Sequence, residues 1–431
     1  MSRTQPAGPD RRLAPRPLPA HLLSAILLWL SSRAALTSWR GGSPLSNAPA
    51  ENPLQALAKE LEQLGADRVA AALDRELLRR AHDFAVGLEA YRRHPFRRGA
   101  PRVPVVWQEG EVLRLLDYGS ARKAPAVLVI PSLINRYYVL DLLPEQSFLR
   151  HLAASGLRPF IVDWGEPGAA ERDFTLTDYI AGPLDRALTK ARDLARGPVA
   201  IIGYCMGGLL ALALALRRPG DTAALALLAT PWDFHAERPE QARLLGELGA
   251  FLPRFLAPGE PFPLSAIQFL FLMLDPFLAE RKFIRFAALD PKGPTARGFV
   301  ALEDWINDGV PLARSVAAEC LKSWYGDNAP ARGSWEVAGQ ATRPEDLAAP
   351  ALVVVPRRDR IVPPRSAAPL ATAIPRAEVL RLPFGHIGMM ASADAPASVW
   401  RPITDWLHAR LGSSSSKSSF RGSAKPRAWN P

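Results

Sequence analysis

Cysteine is nearly absent. The 431 residues hold two, Cys205 and Cys320. One disulfide between them stays open, but two thiols exclude the dense cross-linking of a small secreted scaffold. The seven histidines are scattered, no cysteine–histidine group has zinc-ligand spacing, and no metal site is expected. Long hydrophobic runs are lacking as well. The stretch "HLLSAILLWL" is apolar from Leu22 to Leu30 apart from Ser24, far short of the ~20 residues a bilayer span takes. Proline-rich sequence precedes it and no A-x-A cleavage signal follows, which argues for an amphipathic or partner-binding helix over a signal peptide. The expectation is a cytoplasmic chain with no transmembrane span.

Acidic residues are scarce only at the ends. The formal net charge is +11, of which residues 1–40 carry +5 and residues 412–431 carry +4. The body between is close to neutral. Basicity confined to tails reads as solubilising extension, and nucleic acid is not an expected partner.

What is present is enough apolar sequence, 48%, for one large core with appendages. Residues 1–20 and 412–431 read as disordered basic tails, the first rich in Pro and Arg, the second in Ser. Residues 21–99 form an N-terminal helical region, with leucine and alanine at helical spacing from Pro53 to Arg93. Eight strands then follow: Pro104–Gln108, Val112–Tyr118, 126–132, 158–164, 198–204, 224–230, 351–357 and 377–383. The first two make a hairpin across Glu109-Gly110-Glu111. Helical patterns at Glu145–Ser155, Leu176–Arg196 and Leu209–Arg218 separate later strands, so the sheet is expected to be mainly parallel and covered on both faces. Residues 100–230 and 345–411 are assigned to this core. Residues 231–344 carry no convincing strand and read as a helical insertion placed to form a lid.

The fifth strand ends in "GYCMGG", a G-x-C-x-G elbow in which cysteine replaces the more familiar serine. At so sharp a turn Gly203, Gly207 and Gly208 must be small. The following helix directs its positive end at the sulfur and favours thiolate. The Met206 N–H faces the place where an oxyanion would form. The α/β-hydrolase fold, an eight-stranded mainly parallel sheet with a helical lid insertion, orders its triad as nucleophile, acid, histidine. Asp359 follows the seventh strand in "PRRDRIVPP" and His386 follows the eighth in "LPFGHIGMM". His386 is the expected base for Cys205, and Asp359 its orienting acid. His408, His235 and Asp346 are the competitors, and neither histidine follows a strand. A second oxyanion donor is expected from the loop after the third strand, at the N–H of Leu133 or Ile134. Thiol chemistry suggests a thioester donor. Acyl transfer from a thioester onto cysteine is nearly isoenergetic, and the product stays reactive towards an alcohol.

With these residues together, the chain resembles the poly(3-hydroxyalkanoate) synthases, the polyester-forming acyltransferases of bacterial storage granules. The likeness rests on "PSLINRYYVLDLLPEQSFLRHL", "FIVDWGEPG", "DFTLTDYI", "GYCMGG", "LATPWDF", "ALEDWINDG", "RRDRIVPP" and "GHIG", in order across about residues 100–410. It implies that Cys205 carries the growing acyl chain with His386 and Asp359 as partners. The implied substrate is a (3R)-3-hydroxyacyl-CoA, with CoA released at each addition and no cofactor. It also implies contact with a polyester granule surface, and a second synthase subunit or a homodimer, because the short synthases closest in size work with a partner. One departure stands out: Asp359 is followed by Arg360 and Pro363 by Pro364, where the family reads "DHIVPW". Two rivals remain open on the residues. One is a hydrolase of this fold, a thioesterase or an intracellular depolymerase. The other is a non-catalytic granule-associated protein.

Overall fold

The computed structural model describes residues 12, 15–40, 60–61, 63–99, 102–110, 113–119, 121–251, 256–257 and 259–412. Most of both basic tails, the start of the helical run from Pro53, and Val112 lie outside them. All eight expected strands form: β1 (Val105–Glu109), β2 (Leu113–Asp117), β3 (Ala126–Ile130), β4 (Arg158–Trp164), β5 (Val199–Tyr204), β6 (Thr222–Leu228), β7 (Ala351–Pro356) and β8 (Glu378–Leu382). They make one sheet in the order β1-β2-β4-β3-β5-β6-β7-β8. The β1–β2 and β2–β4 pairs are antiparallel, and the pairs from β4 to β8 are parallel.

Strand side chains alternate between two apolar layers. Ala126, Leu128 and Ile130 enter one, while Val127 and Val129 enter the other. Val199 and Ile201 likewise part from Ala200, Ile202 and Tyr204. Both faces being buried, these strands need apolar residues at every position, which is why they read as continuous runs. The edge strands β1 and β8 are half exposed. The elbow helix, Met206–Arg217, is buried from Met206 to Ala215 and is correspondingly apolar all round.

Two local expectations change. The helical pattern from Leu176 to Arg196 is broken into Leu176–Tyr179 and Asp185–Ala195, because Gly182 is non-helical and Pro183 supplies no N–H. Between β6 and β7 the chain is chiefly helical but also holds a two-residue ribbon, Glu336–Val337 paired with Gln340–Ala341. Its turn residues Ala338 and Gly339 both have positive φ, the geometry of a tight hairpin.

The N-terminal helices α1 (Leu18–Arg40) and α2 (Ala66–Arg93) pack on this insertion. Their partners there are α4 (Leu278–Ala287) and α5 (Pro294–Asn307), which follow α3 (Leu264–Leu272) in the chain. Ala25, Phe84, Leu88 and Tyr91 share a cluster with Ala279, Phe283, Phe286, Ala296 and Val300. Polar ties reinforce it. The Tyr91 hydroxyl donates to Asp304 at 2.9 Å, Arg12 Nε meets the same carboxylate at 2.6 Å, and Arg80 forks onto buried Glu280 at 2.8 and 3.1 Å. α1 starts within the segment assigned to the tail. Its window Leu18–Leu36 (19 residues, mean hydropathy 1.2) is long and apolar enough to cross a membrane, where the nine-residue run alone is not. The difference arises because Leu18 and Ala20 before the run, and Ala34, Ala35 and Leu36 after it, extend the apolar character on both sides.

α2 approaches α4 tightly at Gly87, where an added Cβ would stand 2.0 Å from the Phe283 carbonyl oxygen. Gly87→Ala should therefore push α2 off α4 and lower stability by about 1–3 kcal/mol. A melting temperature equal to wild type would contradict this packing.

Candidate active site

The turn after β5 is strained at one residue. Cys205 has φ 55° and ψ −127°, a conformation that side-chain-bearing residues seldom adopt and that costs about 1–3 kcal/mol. The surroundings hold it there. The Cys205 N–H donates to the Leu228 carbonyl at 2.9 Å, and the Cys205 carbonyl accepts from the Gly208 N–H at 2.9 Å. Backbone approach is so tight that a Cβ at Gly207 would lie 2.2 Å from the Ile130 carbonyl oxygen, and one at Gly208 would lie 1.9 Å from the Thr230 hydroxyl. The elbow glycines are thus fixed by space as well as by chain direction.

His386 follows β8 and Asp359 follows β7, so parallel strands deliver both to the sheet edge where β5 delivers Cys205. His386 Nδ1 lies 2.7 Å from Asp359 Oδ2. The other carboxylate oxygen accepts the N–H groups of Ile361 and Val362, both at 2.8 Å, which fixes the acid in place. Burial opposes a charged imidazole. The negative charge of Cys205 and hydrogen bonds with Asp359 and Cys205 outweigh that, raising His386 to about 10. Tyr204 stacks on the imidazole with ring centroids 5.2 Å apart, and its hydroxyl donates to the His386 carbonyl at 3.0 Å. Burial, followed by the charges of Cys205 and Asp359, lifts the phenol well above its usual range and keeps it a neutral donor.

Cys205, His386 and Tyr204 line a cavity of about 550 Å³. Its walls include Ile267, Phe271 and Leu272 of α3, and Trp305 and Ile306 of α5. Pro15, Arg16 and His21 reach it from the N-terminal segment. The loop after β3 is tied to the end of α5 by paired bonds. The Val310 N–H donates to the Ile134 carbonyl at 3.1 Å, Trp305 Nε1 to the Arg136 carbonyl at 2.7 Å, and the Tyr138 hydroxyl to Asp308 at 2.8 Å. Two stretches singled out in the sequence, "SLINRYYVLDL" and "ALEDWINDG", are therefore one wall of the site.

The sequence profile of the family described as "alpha/beta hydrolase fold" matches residues 125–393. The chain belongs to that family. Within it, the chain is similar to the poly(3-hydroxyalkanoate) polymerase subunit PhaC of Haloferax mediterranei, with 29% identity over 71% of this chain and 63% of the relative. It is also 28% identical to the protein of the same name from Allochromatium vinosum, over 72% of this chain and 89% of that one. Among solved structures, a thioesterase domain from the curacin biosynthetic pathway aligns at 20% identity and a TM-score of 0.43, over 71% of this chain and 99% of the domain.

In this α/β-hydrolase the other sequence candidates are placed as follows. Met206 heads the elbow helix, where the first N–H groups have no intrahelical acceptor. Ile134 lines the cavity, but its N–H donates to the Ser132 hydroxyl at 3.2 Å. The Leu133 side chain turns away into a small pocket with Tyr179 and Val316. His408 and His235 bond the carbonyls of Ser155 and Tyr325, and neither lines the cavity. Both cysteines are free thiols. Sequence reasoning passed over Tyr204 and the N-terminal residues at the cavity. Only the adjacency of Tyr204 to Cys205 signalled the first, and nothing local signalled the second.

Two outcomes follow from the electrostatics. His386, with its proton held to about pH 10, should show no imidazole titration between pH 6 and 8 by histidine NMR; a resonance titrating there and absent from His386→Gln would remove the charged pair. Burial, then the Glu319 carboxylate, pushes the Cys320 thiol well above its usual range. Iodoacetamide at pH 8 should accordingly label Cys205 at least about tenfold faster than Cys320, read by peptide mass spectrometry.

Proposed function

We propose that the chain is a poly(3-hydroxyalkanoate) synthase-like acyltransferase that polymerises (3R)-3-hydroxyacyl units from their CoA thioesters. The observation carrying this reading is a thiol, in place of a hydroxyl, at an elbow facing an apolar cavity that it shares with an imidazole bonded to a buried carboxylate. The similarity to polymerase subunits supports it. A thiolate accepts an acyl group from a thioester without the energy drop that an oxygen ester would bring.

On this reading Cys205 attacks the thioester carbonyl, and the oxyanion that forms is met by the N–H of Met206 and of Leu133, since that of Ile134 is engaged. The carbon–sulfur bond to CoA breaks, and His386 gives its proton to the departing sulfur. The 3-hydroxyl of an incoming hydroxyacyl-CoA then loses its proton to His386 Nε2 and attacks the Cys205 thioester. An ester forms, Cys205 leaves as thiolate, and the chain, now one unit longer and still a CoA thioester, acylates Cys205 again. Asp359 keeps the imidazole in the required tautomer, and Tyr204 holds its ring. Residues 100–230 and 345–411 are the catalytic body, with 231–344 its cap and 21–99 a brace on that cap. The working place is the cytoplasmic granule surface, with a second subunit or a second copy as partner, in keeping with relatives that are named subunits.

The test offers the protein (R)-3-hydroxybutyryl-CoA and follows thiol release together with turbidity. Free thiol with insoluble product is expected; thiol release with only soluble hydroxy acid would mean a thioesterase instead. Cys205→Ala should lower turnover by about 10⁴-fold or more, whereas Cys320→Ala should leave it within about twofold of wild type. Equal activity of the Cys205 variant would end the mechanism.

A further inference from the structure

The cavity is charged unevenly. Six basic side chains line it, Arg16, Arg136, Arg281, Lys282, Arg285 and Arg360, against a single acid, Asp275. Several are already paired. Arg136 meets Glu166 and Asp308, Lys282 meets buried Glu303, and Arg281 and Arg360 share Asp275 at 2.6 and 2.9 Å. Arg16 and Arg285 have no acidic partner among the described residues, and both are exposed. Burial lowers His21, so the neighbouring imidazole adds little positive charge. Arg16 is held in position, because its backbone N–H donates to Asn307 Oδ1 at 2.8 Å and Arg12 anchors the same segment to Asp304. Arg360 adjoins Asp359 in sequence, yet its side chain is 78% exposed and bonded to Asp275.

Unpaired guanidiniums are forks suited to phosphate oxygens. These two are exposed and line the same cavity as the Cys205 thiol. We infer that Arg16 and Arg285, with Arg281, Lys282 and Arg360 around them, form a subsite for the phosphates of the nucleotide half of an acyl-CoA, and that the N-terminal segment thereby completes the substrate site. The uncharged pantetheine arm would thread between α3 and α5, past Phe271 and Ile306. The inference rests on the acyltransferase reading for its ligand. It goes further in assigning the phosphates to residues outside the hydrolase core, one of them at the position after Asp359 where the synthases have histidine.

The experiment compares (R)-3-hydroxybutyryl-CoA with the matching pantetheine thioester, which lacks every phosphate, in wild type, Arg16→Ala, Arg285→Ala and the double variant. Wild type should prefer the CoA thioester in kcat/KM, and the double variant should lose about tenfold or more of that preference. An unchanged preference overturns the inference while leaving the acyltransferase reading intact. If neither thioester is turned over, calorimetric binding of CoA itself decides: weaker binding in the double variant upholds the subsite, and equal binding ends it. Anionic phosphatidylglycerol vesicles form the remaining arm. Variants that lose vesicle binding but retain CoA binding would reassign the rim to lipid headgroups.

Discussion

The left-handed turn at Cys205 is the constraint on which the site depends. A residue with a side chain is held at positive φ, and the chain tolerates this only where packing allows no alternative. That packing comes from glycines so close to Ile130 and Thr230 that not even a methyl group fits. Strand β5 must then lie centrally, flanked by β3 and β6, since both neighbours supply the atoms that confine the elbow. The buried, all-apolar elbow helix is a further requirement, because a solvated helix would let the turn relax.

Opposite charges meet around one cavity. Asp359 is hydrogen-bonded to the buried His386 imidazole, which lines the cavity together with Cys205, apolar side chains such as Phe271 and Ile306, and the exposed Arg16 and Arg285. Low dielectric around buried Asp359 and His386 strengthens the interaction between them. The exposed arginines stay solvated and can meet a charged ligand.

Much of this was legible in the sequence. The parallel strands are near-continuous apolar runs, and residues directly after a parallel strand must come to the same sheet edge, so the proximity of Cys205, Asp359 and His386 follows from three short segments. Other features have no local signature. The engagement of the Ile134 N–H by Ser132 depends on how one loop folds back. The brace of α1 and α2 on the cap depends on complementary surfaces, with Gly87 against the Phe283 backbone, far apart in sequence. An arginine such as Arg16, in a proline-rich stretch, looks like tail until its backbone is seen to bond Asn307.

The docking of α1 and α2 on the insertion sets an order of assembly. Both helices leave the ribosome well before α4 and α5 are made, and at ordinary elongation rates of about 5–20 residues per second the interval is roughly ten to forty seconds. Throughout it Phe84, Leu88 and Tyr91 lack their native cover, while Leu22, Leu23, Ile26, Leu27 and Leu30 of α1 stay exposed even in the finished fold. The N-terminal apolar surface is thus made first and finds its native cover last, so its burial is a late step in the life of the nascent chain.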